Sequence, residues 1–184
     1  MSATRSIGAL ALLAGLAVGA SAQQPAAPPA AAPPAKPAFE VQVTTVEAVH
    51  AVVLPMKGSY MQHPDAFAKL GGYLSGRGVT ASGPPFGRYF SDPSVGEANL
   101  LWEIGFPVPP GVTGEAPFEI RDLPSASCAV HVHRGPMEEL GPAWGSLIGW
   151  VMNNGYQPVL PAMQVFKGDR GAATEVEMRI AVQK

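Results

Sequence analysis

Leu100–Val108, LLWEIGFPV, and Thr174–Val182, TEVEMRIAV, are the two stretches whose reading decides the fold. In a strand from Asn99 to Val108, alternation puts Leu100, Trp102, Ile104 and Phe106 on one face and Leu101, Glu103 and Gly105 on the other. In the second stretch Val176, Met178, Ile180 and Val182 oppose Glu175, Glu177 and Arg179. A shift of 74 residues superimposes the two and sets Glu103 against Glu177. An apolar face occurring twice, each time with an acid in the middle of the opposite face, predicts a sheet covered by helices on one side. The other side then has to be explained.

The repeat extends upstream. At a shift of 77, Lys57-Gly58 aligns with Arg134-Gly135, Leu70 with Leu147, Gly72 with Gly149, Gly78 with Gly155, Pro84 with Pro161 and Asp92 with Asp169, without a gap. Phe67 with Trp144, Tyr73 with Trp150 and Tyr89 with Phe166 are harder to ascribe to a Gly- and Pro-rich composition. Two related units side by side are the economical reading.

Each unit reads as β-α-β-β. In the first, Val41–Val53 is rich in β-branched residues and forms one or two strand segments ending at the Pro55–Gly58 turn. His63-Pro64-Asp65 opens a helix carrying Phe67, Leu70 and Tyr73 or Leu74 at helical spacing, and Gly76 and Gly78 end it. Phe86–Phe90 and Asn99–Val108 follow as strands. In the second unit, Phe118–Arg121 and Ala126–His133 are strand segments, and Leu140, Trp144, Leu147, Ile148 and Val151 form a helical stripe ended by Asn153-Asn154-Gly155. Strands at Met163–Lys167 and Thr174–Gln183 complete it. The predicted fold is α+β: two tandem repeats, 38–110 and 117–184, forming a pseudo-two-fold antiparallel sheet with helices on one face and a ligand pocket between the repeats.

Ahead of this domain, Arg5 precedes an apolar run from Ile7 to about Gly19, and Ala20-Ser21-Ala22 supplies the small residues signal peptidase needs. Residues 1–22 are therefore expected to be a signal peptide. The run is shorter than the roughly 20 residues of a membrane span, and Gln23-Gln24 follows at once. Residues 23–37, almost only Ala and Pro, read as an extended linker, leaving the domain at 38–184 in a periplasmic or secreted protein. Cys128 is the single cysteine, so an oxidising compartment gives the chain no internal disulfide, and inert core packing is its reading. A net charge of -2 with pI near 6.1 offers no basic surface for nucleic-acid phosphates.

Candidate functional residues follow from the uncovered face. A carboxylate among apolar neighbours is costly to desolvate unless paired, so Glu103 and Glu177 could meet a cationic or hydrogen-bonding ligand; solvated surface positions are the alternative. His131 and His133 share a strand face, where they could hold a metal or read a ligand. No third metal ligand stands at a recognisable spacing, and no metal or other cofactor is expected. Aromatic rings supply pocket walls, with Tyr60 and Trp102 as candidates. At most one of Trp144 and Trp150 can touch a ligand, since six residues separate them on their helix.

The phrases PMKGSY (55–60), GPPFGRYFSDP (83–93), LWEIGFPV (101–108), VHRGP (132–136) and VEMRIAV (176–182), in this order and spacing, resemble the GyrI-like small-molecule-binding domain. That domain also serves as the effector-binding part of multidrug-responsive transcription regulators. The resemblance covers nearly all of Phe39–Lys184 and implies paired β-α-β-β units facing a pocket, with Glu103 in the place of the buried pocket glutamate and Glu177 as its counterpart. A related two-unit fold in SOUL haem-binding proteins makes haem a minor alternative. Where many relatives carry Glu-x-Tyr after the second helix, this chain has Gln164-Val165-Phe166. A branch of the family that hydrolyses cyclopropane-bearing toxins looks to that acidic segment for chemistry, so Gln164 argues against hydrolysis. With a signal and a tether read ahead of the domain, no DNA-binding segment is expected.

The expected function is an exported protein binding a hydrophobic small molecule, neutral or cationic, through Tyr60, Trp102, Glu103, His133 and Glu177. The alternatives are a hydrolase of strained electrophiles using Glu103 or Glu177 as base, and a module binding another exported protein.

Overall fold

The computed structural model describes residues 39–168 and 174–184; the signal peptide and linker expected over residues 1–37, and Asp169 of the repeat, lie outside the described residues. Its strands are β1 Gln42–Val46, β2 Val49–Lys57, β3 Phe86–Tyr89, β4 Leu101–Pro107, β5 Glu119–Leu123, β6 Ala126–Gly135, β7 Gln157–Phe166 and β8 Thr174–Gln183. The helices are α1 His63–Gly76, with Pro64 in its first turn, and α2 Leu140–Asn153.

All eight strands form one antiparallel sheet in the order β1-β6-β8-β7-β3-β4-β2-β5. Exchanging β1–β4 for β5–β8 reverses this order, which is the pseudo-two-fold expected from the repeat, with β3 and β7 meeting at the centre. Each unit is one strand longer than the β-α-β-β reading. The segment Val41–Val53 splits at Glu47-Ala48, and its first part, β1, pairs with β6 of the other unit, as β5 pairs with β2. The second part runs on through Pro55 to Lys57. β7 starts at Gln157, six residues before the expected Met163, and its register against β8 shifts between Val159 and Met163.

The exchanged strands force the sheet to curl. Glu47-Ala48 joins β1, at one edge, to β2, seventh in the order; Pro124-Ser125 joins β5, at the other edge, to β6, second in the order. Each link is three Cα steps, about 11 Å, whereas six strand spacings in a flat sheet cover about 29 Å. Only a half-barrel brings these ends together.

Both faces of the sheet are consequently buried. On the convex side α1 lays Ala66, Phe67, Leu70 and Leu74 against Val52, Leu54, Leu100, Trp102 and Ile104. There α2 lays Leu140, Ala143, Leu147 and Val151 against Ala129, Val176, Met178 and Ile180. On the concave side, without a helix, Ala51, Val53, Phe86, Leu123 and Val165 pack on one another. Burying such aliphatic side chains stabilises by about 1.5–3 kcal/mol each. Cys128, buried on the concave side, has its thiol pKa pushed up by that burial, against the pull of Arg179.

Candidate functional site

The five residues expected to share a pocket are distributed over two faces. Pairing register fixes the assignment, because residues directly opposite in an antiparallel ladder point the same way. Glu103 stands opposite Arg88, Arg88 opposite Met163, and Met163 opposite Arg179, a row crossing four strands on the concave side. The two-fold repeats it as Gly105, Phe86, Val165 and Glu177. Trp102 and Tyr60 are on the convex side, under α1.

His133 also departs from the expectation. It pairs with Val176, a residue of the α2 core, so it lies on the convex side, away from Glu177's face. Its Nε2 is 3.1 Å from the Pro136 carbonyl at the approach to α2. His131 shares that side, stacked on Phe39 at 3.9 Å with Nδ1 2.8 Å from the Glu40 carbonyl. Both histidines are occupied in packing. Among the described residues no group of three His, Cys, Asp or Glu side chains could hold a metal ion.

On the concave side, both carboxylates are paired. Glu103, 2% exposed, places Oε1 2.5 Å from Arg88 Nη1, and its Oε2 is 3.7 Å from Nε of Arg121, which also pairs with Glu119. Glu177 is held by Lys167 and Arg179. Burial alone pushes Glu177 up, but the hydrogen bonds and charges of these two cations outweigh it and hold its pKa below the ordinary carboxylate value. Neither acid offers uncompensated charge to a ligand. Beside Glu177 a cleft of about 490 Å³ is lined by Gln42, Thr44, Val130, Val132 and Arg179 among others. Its walls combine aliphatic and hydroxyl side chains with the polar or charged ends of Gln42, Glu47, Glu177 and Arg179, and include no aromatic side chain.

A different constellation stands on the convex side, across the junction of the repeats. Gly58, with φ 98°, turns the chain out of β2, the Ser59 hydroxyl caps the one-turn helix Tyr60–Gln62, and α1 starts at His63. This folds Tyr60 and His63 back over β4 and β3. The His63 ring stacks on Trp102 at 4.3 Å; Tyr60 meets Trp102 at 5.8 Å and Tyr89 at 5.2 Å, both edge-on. Trp102 is anchored by donating from Nε1 to the Gly58 carbonyl, 2.9 Å away. From the second repeat Phe166 meets Phe67 at 5.4 Å, and the side-chain amide of Gln164 lies 2.8 Å from the Tyr89 hydroxyl. His63 Nδ1 contacts the Tyr60 carbonyl, and Nε2 is 3.1 Å from the Tyr89 hydroxyl.

Tyr60, His63, Tyr89, Gln164 and Phe166 are half-buried, so this aromatic cluster reaches the surface while Trp102 is buried beneath it. Burial pushes the His63 imidazole below its ordinary value, against the Tyr60 carbonyl contact, and pushes both tyrosine phenols up. The cluster's polar side chains are neutral near pH 7. Apolar rings with a few convergent hydrogen-bonding atoms are the makeup of small-molecule sites.

Tyr60 and Trp102, expected as pocket walls, lie in this cluster; His63 and Gln164 were not among the expected site residues. Their signals were a histidine opening a helix and a glutamine at the position where the family resemblance implies an acid. Tyr73, stacked on Phe118, and Trp150, stacked on Tyr156, belong to other clusters.

Comparison with known proteins agrees with this architecture. The chain superimposes on the C-terminal domain of EcmrR with TM-score 0.70 and 17% identity, covering 79% of this chain and 98% of that domain. Against EcmrR in its DNA complex the TM-score is 0.71, also at 17% identity, and the match covers 79% of this chain but only 58% of EcmrR. A hydrolase encoded by lin2189 from Listeria innocua gives 0.61 at 14% identity, covering 80% of this chain and 93% of its own. SAV2435 bound to tetraphenylphosphonium gives 0.54 at 11%, covering 79% and 94%. At such identities these likenesses bear on the fold alone. No curated protein sequence matches the chain. The GyrI-like small molecule binding domain, however, matches residues 34–183, across both repeats, and the chain belongs to that family.

Proposed function

We propose that this chain is an exported binding protein that holds a hydrophobic small molecule in the aromatic groove at the junction of its repeats. Export is supported by the Arg5-led apolar run and Ala20-Ser21-Ala22. The observation that carries the binding reading is the convergence of Tyr60, Tyr89, His63 and Trp102 with Gln164 and Phe166 of the second repeat. Ring faces supply the affinity, and with no acid among these side chains a positive charge on the ligand is tolerated through cation–π contact but not required. SAV2435 binds tetraphenylphosphonium, which makes lipophilic cations fair probes. In this chain Glu103 and Glu177 sit on the far face, each already neutralised. Binding is favoured over hydrolysis because Gln164 cannot act as an acid or base.

The test is calorimetry and thermal unfolding with tetraphenylphosphonium and neutral triphenylmethanol. Both are expected to bind, raising the melting temperature by about 5 °C or more at a hundredfold excess over Kd. Tyr60→Ala should weaken both. Cation binding that survives Tyr60→Ala and Tyr89→Ala but vanishes in Glu103→Gln would move the site to the concave side and overturn the reading.

A further inference from the structure

The two repeats contribute unequally to the groove. At the shift of 77, Tyr60, His63 and Tyr89 correspond to Met137, Leu140 and Phe166, so the hydrogen-bonding atoms of the first repeat have apolar counterparts in the second. The exception is Gln164, which corresponds to Gly87 and is also its partner across the central β3–β7 ladder. Polar recognition is thus concentrated in one chain of atoms: Tyr60 carbonyl, His63, Tyr89 and Gln164.

Proton counting gives that chain a direction. The Tyr60 carbonyl can only accept, so His63 Nδ1 carries a hydrogen and, with the ring neutral, Nε2 is an acceptor. Tyr89 has one hydroxyl proton and two acceptors in reach, His63 Nε2 at 3.1 Å and Gln164 Oε1 at 2.8 Å. If the proton goes to Gln164, a half-buried imidazole lone pair faces the phenol oxygen with no hydrogen between them. A half-turn of the Gln164 amide, which exchanges its oxygen and nitrogen, removes the conflict. Gln164 then donates to the Tyr89 oxygen, Tyr89 to His63 Nε2, and His63 Nδ1–H to the Tyr60 carbonyl.

We infer that Gln164 is the specificity residue of the groove: its amide closes this one-way chain and turns its own carbonyl oxygen away from Tyr89, toward a ligand that carries an O–H or N–H donor. The preferred ligand class is then a neutral aromatic with a hydrogen-bond donor, such as a phenol, aniline or aryl carbinol. A glutamate at the same position has no hydrogen to donate to Tyr89. It would take the Tyr89 proton and require His63 to charge itself in order to fill the gap, so Gln164 and a neutral imidazole belong together. This rests on the groove being the binding site, but the apo protein already reports the chain's direction.

The experiment has two arms. In NMR titration of the ligand-free protein, Gln164→Glu is expected to raise the His63 pKa by about one unit or more, whereas Gln164→Met leaves it near the wild-type value. In calorimetry, 4-phenylphenol should bind wild type about tenfold more tightly than its methyl ether, which lacks the donor, and Gln164→Met should erase the difference. An unmoved His63 pKa in Gln164→Glu, or equal affinity for phenol and ether in wild type, overturns the inference. If neither compound binds while the titration shifts as expected, the one-way chain stands and the groove as the ligand site falls.

Discussion

Glu103 and Arg88 face each other across β4 and β3 inside the curled sheet, 2.5 Å apart, on the side opposite the helices. The acid is almost completely buried and the guanidinium is 17% exposed, so each neutralises a charge that the surroundings would otherwise leave stranded. Removing one partner of such a pair costs more than replacing both. Glu103→Gln should destabilise by about 3 kcal/mol in urea unfolding, while Glu103→Leu with Arg88→Met should recover most of that. Affinity for tetraphenylphosphonium, measured below the variant's unfolding temperature, should stay within about twofold of wild type.

Gly105 and Gly87 are each required for a close approach, with different consequences. A Cβ at 105 would lie 2.3 Å from Cζ of Phe86, a ring buried in the concave core with nowhere to go. Gly105→Ala should therefore cost about 1–3 kcal/mol, relieved by Phe86→Leu in the same chain. A Cβ at 87 would lie 2.6 Å from the Tyr89 hydroxyl, the far end of a side chain that can swing outward. Gly87→Ala should leave stability within about 1 kcal/mol yet weaken ligand binding, since Tyr89 leaves Gln164. Equal damage to stability by both substitutions would contradict this contrast.

The pairing of Glu177 with Lys167 and Arg179 predicts an acid limb of the stability profile. Its folded pKa lies below the ordinary value of 4.5, so the unfolded chain binds a proton more readily. That contribution is complete above 4.5 and is lost as pH falls through the folded value. Glu177→Gln should lower stability above pH 6 by a pH-independent amount and flatten this limb, as read from urea midpoints across pH. An unchanged slope below the ordinary value would mean that the two cations do not hold the carboxylate in solution.

The sequence carried the faces of the sheet further than it carried the site. Alternation in Leu100–Val108 and Thr174–Val182 separates the helix-facing residues from Glu103 and Glu177, and the stripes of both helices follow from spacing of 3 and 4. The strand exchange was hidden because Glu47-Ala48 contains no turn residue, and the partners of β1 lie 80 to 88 residues away. The cations that neutralise the acids come largely from other strands, where register, not local pattern, brings Arg88 and Arg121 to Glu103. Alternation in β6 separated Cys128 from the two histidines but could not say which side met α2. His63 and Gln164 are 101 positions apart and share only Tyr89, a relation that no local window contains.

His63 gives the groove a pH dependence of opposite origin to that of a paired acid. Burial against Trp102 and Phe67 lowers its pKa from 6.5, and the carbonyl of Tyr60 opposes this only in part. The other titratable groups facing it are the phenols of Tyr60 and Tyr89, both pushed up by burial and uncharged throughout. The unfolded chain therefore takes up the proton first. Stability from His63 is fully present above 6.5 and declines as pH falls from there through the folded value. His63→Phe keeps a ring on Trp102 but cannot titrate, so the wild-type minus variant difference in unfolding free energy should fall between pH 7.5 and pH 5. Binding of 4-phenylphenol should weaken over the same range, because a charged imidazole no longer accepts from Tyr89 and the hydroxyl must turn back to Gln164, occupying the oxygen the ligand needs. A flat stability difference together with pH-independent phenol affinity would show that the imidazole takes no part in the groove.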